Sequence, residues 1–578
     1  MTNPEISKIL YEIAEYLEME GVPFKPRAYE KAAQTIEGMT EELADLYQRD
    51  GIEALGEIPG VGASIAEKIE EAIKTGRIKH HEELKRKTPV KIYELTRVEG
   101  LGPKHVKRLY GELGIKDLAD LERAAQQGKI KNLKGFGAKS EENILRGIEF
   151  LKSFGGRFLL GAILPEVRMI ADRLRTMRGV ERVEIAGSIR RYKETIGDAD
   201  VLAVAKHPGP IMDYFTRMPE VLRVFAHGET KSAVKLKSGF DADLRVVPPE
   251  SYGAALAYFT GSKEHNVAMR EIAIQKGMKL NEYGLYKRAR NGWKAVAGKT
   301  EEEIYETLGL AFVPPEMREM TGELEAAARH AVPKIIGYGD LRGDLQTQTN
   351  WTDGKNSIEE MARAAAEAGL EYIAITDHTK RLAMTGGLDE KRLSAQGKEI
   401  DALNKKLHDT RSAVRVLKGT ECDILKDGSL DLSDAALAAL DVVGISVHSH
   451  FNLSRAEQTT RIIRAMHNPH ADILFHPTGR LILKRKAYEI DIDAIIKAAK
   501  QTGTVLEIDA LPDRLDLKDE HIRRAVAAGV KLAIDSDAHS TAHFGVLEYG
   551  IAQARRGWAT KADIVNTQSV EKMLSMLK

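Results

Sequence analysis

The stretch from Ile185 to Val201, I-A-G-S-I-R-R-Y-K-E-T-I-G-D-A-D-V, holds the residue types that metal-assisted phosphoryl chemistry needs. Asp198 and Asp200 lie two apart, and Ile196 and Val201-Leu-Ala-Val204 around them read as a strand. Strand side chains alternate, so both carboxylates project from one face. Two like charges that close are unfavourable unless a cation sits between them, and Mg²⁺ favours carboxylates combined with phosphate oxygens. Upstream, Gly187-Ser188 offers backbone and hydroxyl groups to a phosphate, and Arg190 and Arg191 can neutralise it. Downstream, Asp241 and Asp243 open the apolar run Leu244-Arg-Val-Val247, and a neighbouring strand would set Asp243 beside the first pair. These are the parts of a two-metal nucleotidyl-transfer site. A bare D-x-D also occurs on ordinary surfaces; the upstream turn and the third carboxylate set this one apart.

A second constellation fills the last part of the chain, where strand and helix patterns alternate. Polar residues arrive just after apolar runs: His378 after Ile373-Ala-Ile-Thr-Asp377, Glu421 after Val416, His448 after Val442, His476 after Ile473, and Asp537 and His539 after Leu532. Such positions are the carboxyl ends of barrel strands, where α/β barrels carry their chemistry. Asp353, in Trp351-Thr-Asp-Gly354, enters the same mouth. Imidazole with carboxylate suits Zn²⁺, Mn²⁺ or iron. A lone histidine at a strand end is commonly structural; six such residues in register point to metal.

The elements that must position these groups need several domains, since 578 residues exceed one hydrophobic core. The ordinary apolar content, no long apolar run and no signal-like start predict a cytoplasmic protein that does not enter a membrane. The single Cys422 excludes an intramolecular disulfide and fits a reducing compartment. Lys plus Arg equals Asp plus Glu at 86 each, so bulk charge does not announce nucleic acid. Distribution says more: positions 1–50 carry 5 basic against 11 acidic residues, and positions 101–200 carry 20 against 14. The first 150 residues read as helical, with three echoes of apolar-x-Gly-apolar-Gly, at Ile58–Gly62, Val98–Gly102 and Leu133–Gly137. Each precedes a helical run, whose first N–H groups can receive a phosphate. The frame resembles the helix-hairpin-helix motif, which grips the DNA backbone without reading bases, and points to Gly60, Gly62, Gly100 and Gly102.

In order and spacing, G-S-x-R-R, G-D-x-D, D-L-R-V-V, Tyr258-Phe-Thr-Gly-Ser262 and Asn281-Glu-Tyr283 resemble the palm and thumb of a family X DNA polymerase. The resemblance implies that Asp198, Asp200 and Asp243 hold two Mg²⁺ (or Mn²⁺). One ion lowers the pKa of the primer hydroxyl; the other, with Gly187, Ser188 and Arg191, neutralises the triphosphate. It implies sugar and minor-groove contacts from Tyr258, Phe259 and Gly261, and nucleotide or template contacts from Asn266 and Arg270. Lys263 departs from the acidic residue of the animal enzymes. Ser262 reads as an N-cap, so a cation at the first helical position opposes the helix dipole by about 0.3–1 kcal/mol, and an anionic ligand or a stacked base would compensate. Lys68 matches the family's Schiff-base lysine, with Lys25 and Tyr29 as matching neighbours, whereas Ser64 and His80 replace DNA-contacting lysines.

The motifs T-D-H, G-T-E-x-D, S-V-H-S, F-H-P-T and S-D-A-H resemble the polymerase-and-histidinol-phosphatase (PHP) domain, a distorted barrel with up to three metals, Mn²⁺ or Zn²⁺, that acts as a 3′→5′ exonuclease in this family and sometimes cuts abasic sites. One departure is serious. The family's opening D-L-H-x-H reads Asp344-Leu-Gln346-Thr-Gln348, which removes two imidazoles from one metal position. Amide oxygens are poor ligands for Zn²⁺ or Mn²⁺. That position would keep only carboxylates, Glu421 and Asp537; one intact position would use Glu421, His448 and His476, the other Asp353, His378 and His539.

The expected architecture is a multidomain α+β polymerase core followed by an α/β distorted (βα)7 barrel. Residues 1–85 form a helical, lyase-like DNA-binding domain, 86–153 the helix-hairpin-helix fingers, 154–250 the palm, 251–315 the thumb, 316–338 a helical linker and 339–578 the PHP domain. The expected partners are gapped or primer-template DNA and dNTPs, handled by a monomer. Two rivals stay open: a phosphoesterase whose polymerase half only delivers DNA, and a non-catalytic DNA-bridging scaffold.

Overall fold

A computed structural model describes residues 1, 3–37, 39, 43–96, 98, 101–153, 156–290, 292–409 and 414–578. Gly100 of the second hairpin and Phe154, the expected start of the palm, fall outside the described residues. The chain divides into two compact bodies, one comprising Met1–Gly155 together with Leu483–Arg485, the other the remainder of Gly156–Lys578. Among the described residues, no helix is long and apolar enough to cross a membrane.

The first body is helical, as its apolar periodicity dictates. Ile6, Leu10, Ile13 and Leu17 recur at helical spacing in Asn3–Glu20 and are buried against Lys25–Glu37. Ala63–Thr75 starts behind Gly62, Pro103–Leu113 behind Gly102 with proline at its first turn, and Ala138–Ser153 follows Gly135.

The second body opens with a two-stranded ribbon, β1 (Phe158–Leu159) on β3 (Thr195–Ile196), beside a five-stranded palm sheet. That sheet runs in the order β2 (Val180–Ile185), β4 (Asp198–Ala205), β7 (Asp241–Val247), β6 (Lys231–Leu236) and β5 (Val221–His227). The central pair, β4 and β7, is parallel, and its apolar runs are buried. A helix spans Leu160–Arg175, with Pro165 inside it. Leu160, Ile163, Leu164, Val167, Ile170 and Leu174 form a buried helical stripe that outweighs the one backbone donor proline lacks.

The thumb combines helices Tyr252–Thr260, Lys263–Gln275 and Glu301–Thr307 with the antiparallel strands β8 (Met278–Asn281), β9 (Gly284–Ala289) and β10 (Gly292–Ala297). The expected helical linker over 316–338 is instead part of this packing. Only Pro315–Met317 and Glu323–Ala328 are helical, and Met317, Leu324 and Ala327 join the thumb core with Ile304, Tyr305 and Val313. Arg318, 1% exposed, pairs with Glu301, and Glu323 bonds His265, so the segment's charges are spent inside the thumb rather than on solvated helix faces.

Seven parallel strands follow: β11 (Gly343–Thr347), β12 (Tyr372–Ile375), β13 (Arg415–Asp423), β14 (Val442–Ser446), β15 (Ile473–Leu474), β16 (Val505–Asp509) and β17 (Leu532–Asp535). They pair in chain order and nearly close, since the Gln348 N–H donates to the Ala538 carbonyl (2.7 Å) and the Ala538 N–H to the Gln346 carbonyl (3.3 Å). Helices Ile358–Glu367 and Arg455–Met466 both start with capping boxes, Ser357 with Glu360 and Ser454 with Glu457, as S-x-x-E before an apolar run requires. Palm and barrel are packed together: Arg168 makes a two-pronged pair with Glu548 (2.8 Å each), and Pro512 sits where a Cβ on Gly161 would be, 2.3 Å away.

Candidate active sites

The parallel register of β4 on β7 sets Asp200 opposite Asp243 and Asp198 opposite Asp241. The structure thus brings Asp198, Asp200 and Asp243 to one strand end. Burial, together with Asp198 and Asp243 beside it, pushes the Asp200 carboxyl up to about 7, against an opposing pull from Arg245 and Lys231. A carboxylate raised by like charges is short of positive charge, which is the condition a divalent cation meets. Lys231, not singled out by sequence, lies 2.7 Å from Asp243, and Lys235 lies 2.7 Å from Asp241. Gly187 has φ +64°, and a Cβ there would fall 2.5 Å from an Asp200 oxygen. Only glycine allows that turn to approach the carboxylate so closely. The Gly187–Arg190 turn is wired to the thumb: Arg190 donates to Glu301 and to the Thr260 hydroxyl (2.7 Å), and Arg191 to Glu319 (3.0 Å) and to the Thr260 carbonyl.

On the thumb, Tyr258 is 38% exposed and meets Phe259 edge-on at 5.1 Å, while Arg245 lies 4.5 Å over the Phe259 ring. Gly261 has φ +70° and carries the Arg191 guanidinium against it. Ser262 caps the helix that begins at Lys263, accepting from the His265 N–H at 3.3 Å. The Asn266 amide donates to the Tyr258 carbonyl (2.6 Å), and Tyr258, Asn266, Arg270 and Asn281 line a small cavity of about 20 Å³.

Lys68 and the hairpin glycines belong to the other body. The Lys68 ammonium donates to the carbonyl and hydroxyl of Ser64, 3.0 Å each, and burial of His80, together with the charge of Lys68, holds that imidazole below its ordinary pKa. Tyr29 is buried. Gly60 has φ +85°, and Gly62 and Gly102 cap their helices without a side chain, leaving first-turn N–H groups to other acceptors.

At the barrel mouth, ligand atoms of Asp353, His378 and His539 lie within 4.8 Å of one another, as do those of His378, Glu421 and His448. His476 joins the second group through Glu421 (2.8 Å), so His378 is shared between the two groups expected to be separate. Burial would raise the Glu421 carboxyl, but His378 and His448 hold it well below the usual range. Glu421 and Asp423 in turn raise His448 to about 9 against burial. Asp537 faces Arg514 (3.8 Å) and His539 (3.8 Å). The two glutamines are engaged with carboxylates. Gln348 donates to Glu421 (2.9 Å), and the Gln346 amide nitrogen, oriented by its surroundings, faces Glu507 at 2.5 and 3.2 Å. Buried Glu507, Asp509 and Asp535 stand nearby, and burial raises all three carboxyls, helped by the charge of Asp509 and Asp535 at Glu507, of Asp537 at Asp509, and of Asp344 and Asp537 at Asp535. Sequence reading passed over them, although Glu507-x-Asp509 has the same two-residue period as Asp198-x-Asp200.

Four family models match in this order: a helix-hairpin-helix domain over residues 1–78, a SAM-like helix-hairpin-helix tandem over 92–149, the DNA polymerase beta thumb over 255–319 and the PHP domain over 344–528. The DNA polymerase/3′-5′ exonuclease PolX of Bacillus subtilis (strain 168) is 37% identical over 581 residues, covering 100% of both chains. The chain belongs to the PHP-bearing family X DNA polymerases. DNA polymerase lambda of Rattus norvegicus is 27% identical over 55% of this polymerase and 56% of its own length. A probable phosphatase of Thermoanaerobacter sp. (strain X514) is 30% identical over 39% of the polymerase and 88% of its own length. The family models run in one order, helix-hairpin-helix and polymerase thumb first and the PHP domain after them.

The palm carboxylates give the polymerase a pH signature. In metal-free protein Asp200 keeps its proton to about 7, whereas its unperturbed value is 3.8. Between those values the folded state binds more protons, so stability falls as pH rises from about 4 to about 7 and levels off above. Asp200→Asn removes this component, on the order of a few kcal/mol. Urea midpoints of wild type and variant across that range in EDTA check it: the variant's advantage should grow with pH, and parallel curves would contradict the assignment.

Proposed function

We propose that this polymerase fills short gaps in DNA during base excision repair by two-metal nucleotidyl transfer, and that its barrel trims 3′ ends weakly. The observation that carries the first part is the register that joins Asp198, Asp200 and Asp243 beside the Gly187 turn. Divalent ions, Mg²⁺ or Mn²⁺, would activate the primer hydroxyl and screen the departing pyrophosphate there. Asp198, Asp200 and Asp243 hold them; Ser188 and Arg191 receive the triphosphate; Tyr258, Phe259 and Gly261 bear on the sugar; Asn266 and Arg270 on base and template; and Lys263, freely exposed at a helix start, on an anionic or stacking group of the nucleotide. The helix-hairpin-helix glycines bind DNA backbone, and Lys68, presented beside Ser64, acts as the Schiff-base lysine on 5′-deoxyribose phosphate. A DNA substrate and a lone buried cysteine fit a cytoplasmic monomer.

One labelled gapped duplex tests these roles together, with Mg²⁺ or Mn²⁺ and with or without dNTPs. Wild type should extend the primer, Asp200→Ala should lose at least about 10²-fold, and borohydride should trap wild type but not Lys68→Ala on an abasic end. Extension by Asp200→Ala at the wild-type rate would favour the phosphoesterase reading, and binding with neither extension nor cleavage the scaffold reading.

The barrel keeps donors that fit Mn²⁺ or Zn²⁺ around Asp353, His378, His539, Glu421, His448 and His476, where buried ring nitrogens of His378 and His476 lack hydrogen-bond partners. The position of Gln346 and Gln348 does not fit, because both amides already serve carboxylates. Exonuclease activity should therefore be low, revived by excess Mn²⁺ and raised by Gln346→His/Gln348→His, with one more metal per chain by elemental analysis. Three tightly held metals in wild type and no gain from the double substitution would overturn this.

A further inference from the structure

Arg191 does not stand alone behind the palm turn. Its Nε donates to a Glu319 oxygen at 3.0 Å, and the same oxygen accepts from Nη1 of Arg556 at 3.1 Å. Arg556 is the last residue of the barrel helix Leu547–Arg556, and its side chain is 3% exposed. The same Nη1 donates to the backbone carbonyl of Arg191 at 2.8 Å, while Nη2 donates to Asp519. Lys193 reaches the second Glu319 oxygen at 3.5 Å. One barrel arginine therefore touches both the backbone of the residue that would meet the triphosphate and the carboxylate that balances its charge.

The electrostatics give this contact a direction. Arg191, Lys193 and Arg556 are three cations facing two carboxylates, Glu319 and Asp519. The cluster keeps one net positive charge beside the turn. Arg556 removed, Glu319 and Asp519 would balance Arg191 and Lys193 completely, and the backbone carbonyl of Arg191 would lose its buried donor. An anion approaching the Gly187–Arg191 turn would then meet a neutral group that is also less firmly held. Both effects weaken triphosphate binding, and neither touches the carboxylates that carry the chemistry.

We propose that Arg556 is a positioning residue of the polymerase site: from the barrel it holds the Arg191 turn and keeps Glu319 from cancelling the charge of Arg191, so that the barrel sets triphosphate affinity. The inference rests on the polymerase reading above.

Steady-state incorporation by the full-length chain on a gapped duplex tests it, with KM for dNTP and kcat measured separately. Arg556→Met should raise KM about tenfold, near 1.4 kcal/mol, the scale of one unit charge lost several ångströms away in a partly buried setting. The value of kcat should change little. Glu319→Gln in the Arg556→Met background should bring KM back toward wild type, because the unbalanced carboxylate is gone. Arg556→Lys, which keeps the charge and loses the fork, should fall between and covers the case in which the methionine variant does not fold. Glu548→Gln, which opens the neighbouring palm–barrel pair with Arg168 alone, should leave KM within about twofold. An unchanged KM in folded Arg556→Met and Arg556→Lys, or an equal rise in Glu548→Gln, would overturn the proposal. A wild type that incorporates no nucleotide would overturn the polymerase reading itself and the proposal with it.

Discussion

Negative charge brought together by strand register is the constraint on which this structure depends. The parallel pairing of β4 with β7 allows no freedom: once Val201 to Val204 are buried against Leu244 to Val247, Asp200 must face Asp243. A slip of β7 by one residue would turn Asp243 to the other side of the sheet from Asp200 and expose its apolar neighbours. Burial that fixes the sheet therefore also fixes the repulsion, and the raised Asp200 carboxyl is its electrostatic trace. The glycine turn approaches that excess of negative charge, and the two lysines of β6 pair with the β7 carboxylates beside it.

The barrel repeats the same physics with a different answer. Strand ends converge on one mouth, and every strand delivers carboxylate or imidazole into it. Around Glu421 the imidazoles of His378, His448 and His476 share the charge. Glu507 instead accepts from the backbone N–H of His476 (2.5 Å) and faces the neutral amide of Gln346. An amide N–H donates to a carboxyl group, but it offers no nitrogen lone pair with which an imidazole would hold a cation. The fold tolerates this exchange because amide and imidazole are both planar, of similar size and able to reach the same carboxylate.

Much of this is legible in the sequence. Alternation in Asp198-x-Asp200 and the apolar runs after each pair foretold the palm strands, and polar residues at the ends of apolar runs foretold the barrel mouth. The glycine echoes marked the helix starts at Ala63, Pro103 and Ala138. What was not legible depends on contacts distant in sequence. Nothing local marks Lys231 as the partner of Asp243, or Arg556 as the partner of Glu319, because those pairs are made by sheet order and by packing of palm on barrel. The segment 316–338 reads as a linker in the sequence, whereas its buried Arg318 and Glu323 find their partners on Glu301 and His265. The strand Gly343–Thr347 carries a single apolar side chain, Leu345, and its pairing with β12 makes it a strand.

The central claim is that the palm triad is a cation site created by register. The most direct measurement is the number of Mn²⁺ ions bound per chain in the presence of a non-incorporable triphosphate, followed by electron paramagnetic resonance. Wild type should hold two more ions than the Asp198→Asn/Asp200→Asn/Asp243→Asn variant, as a two-metal site requires, with the barrel's ions unchanged between them. Equal numbers in the two proteins would contradict the account.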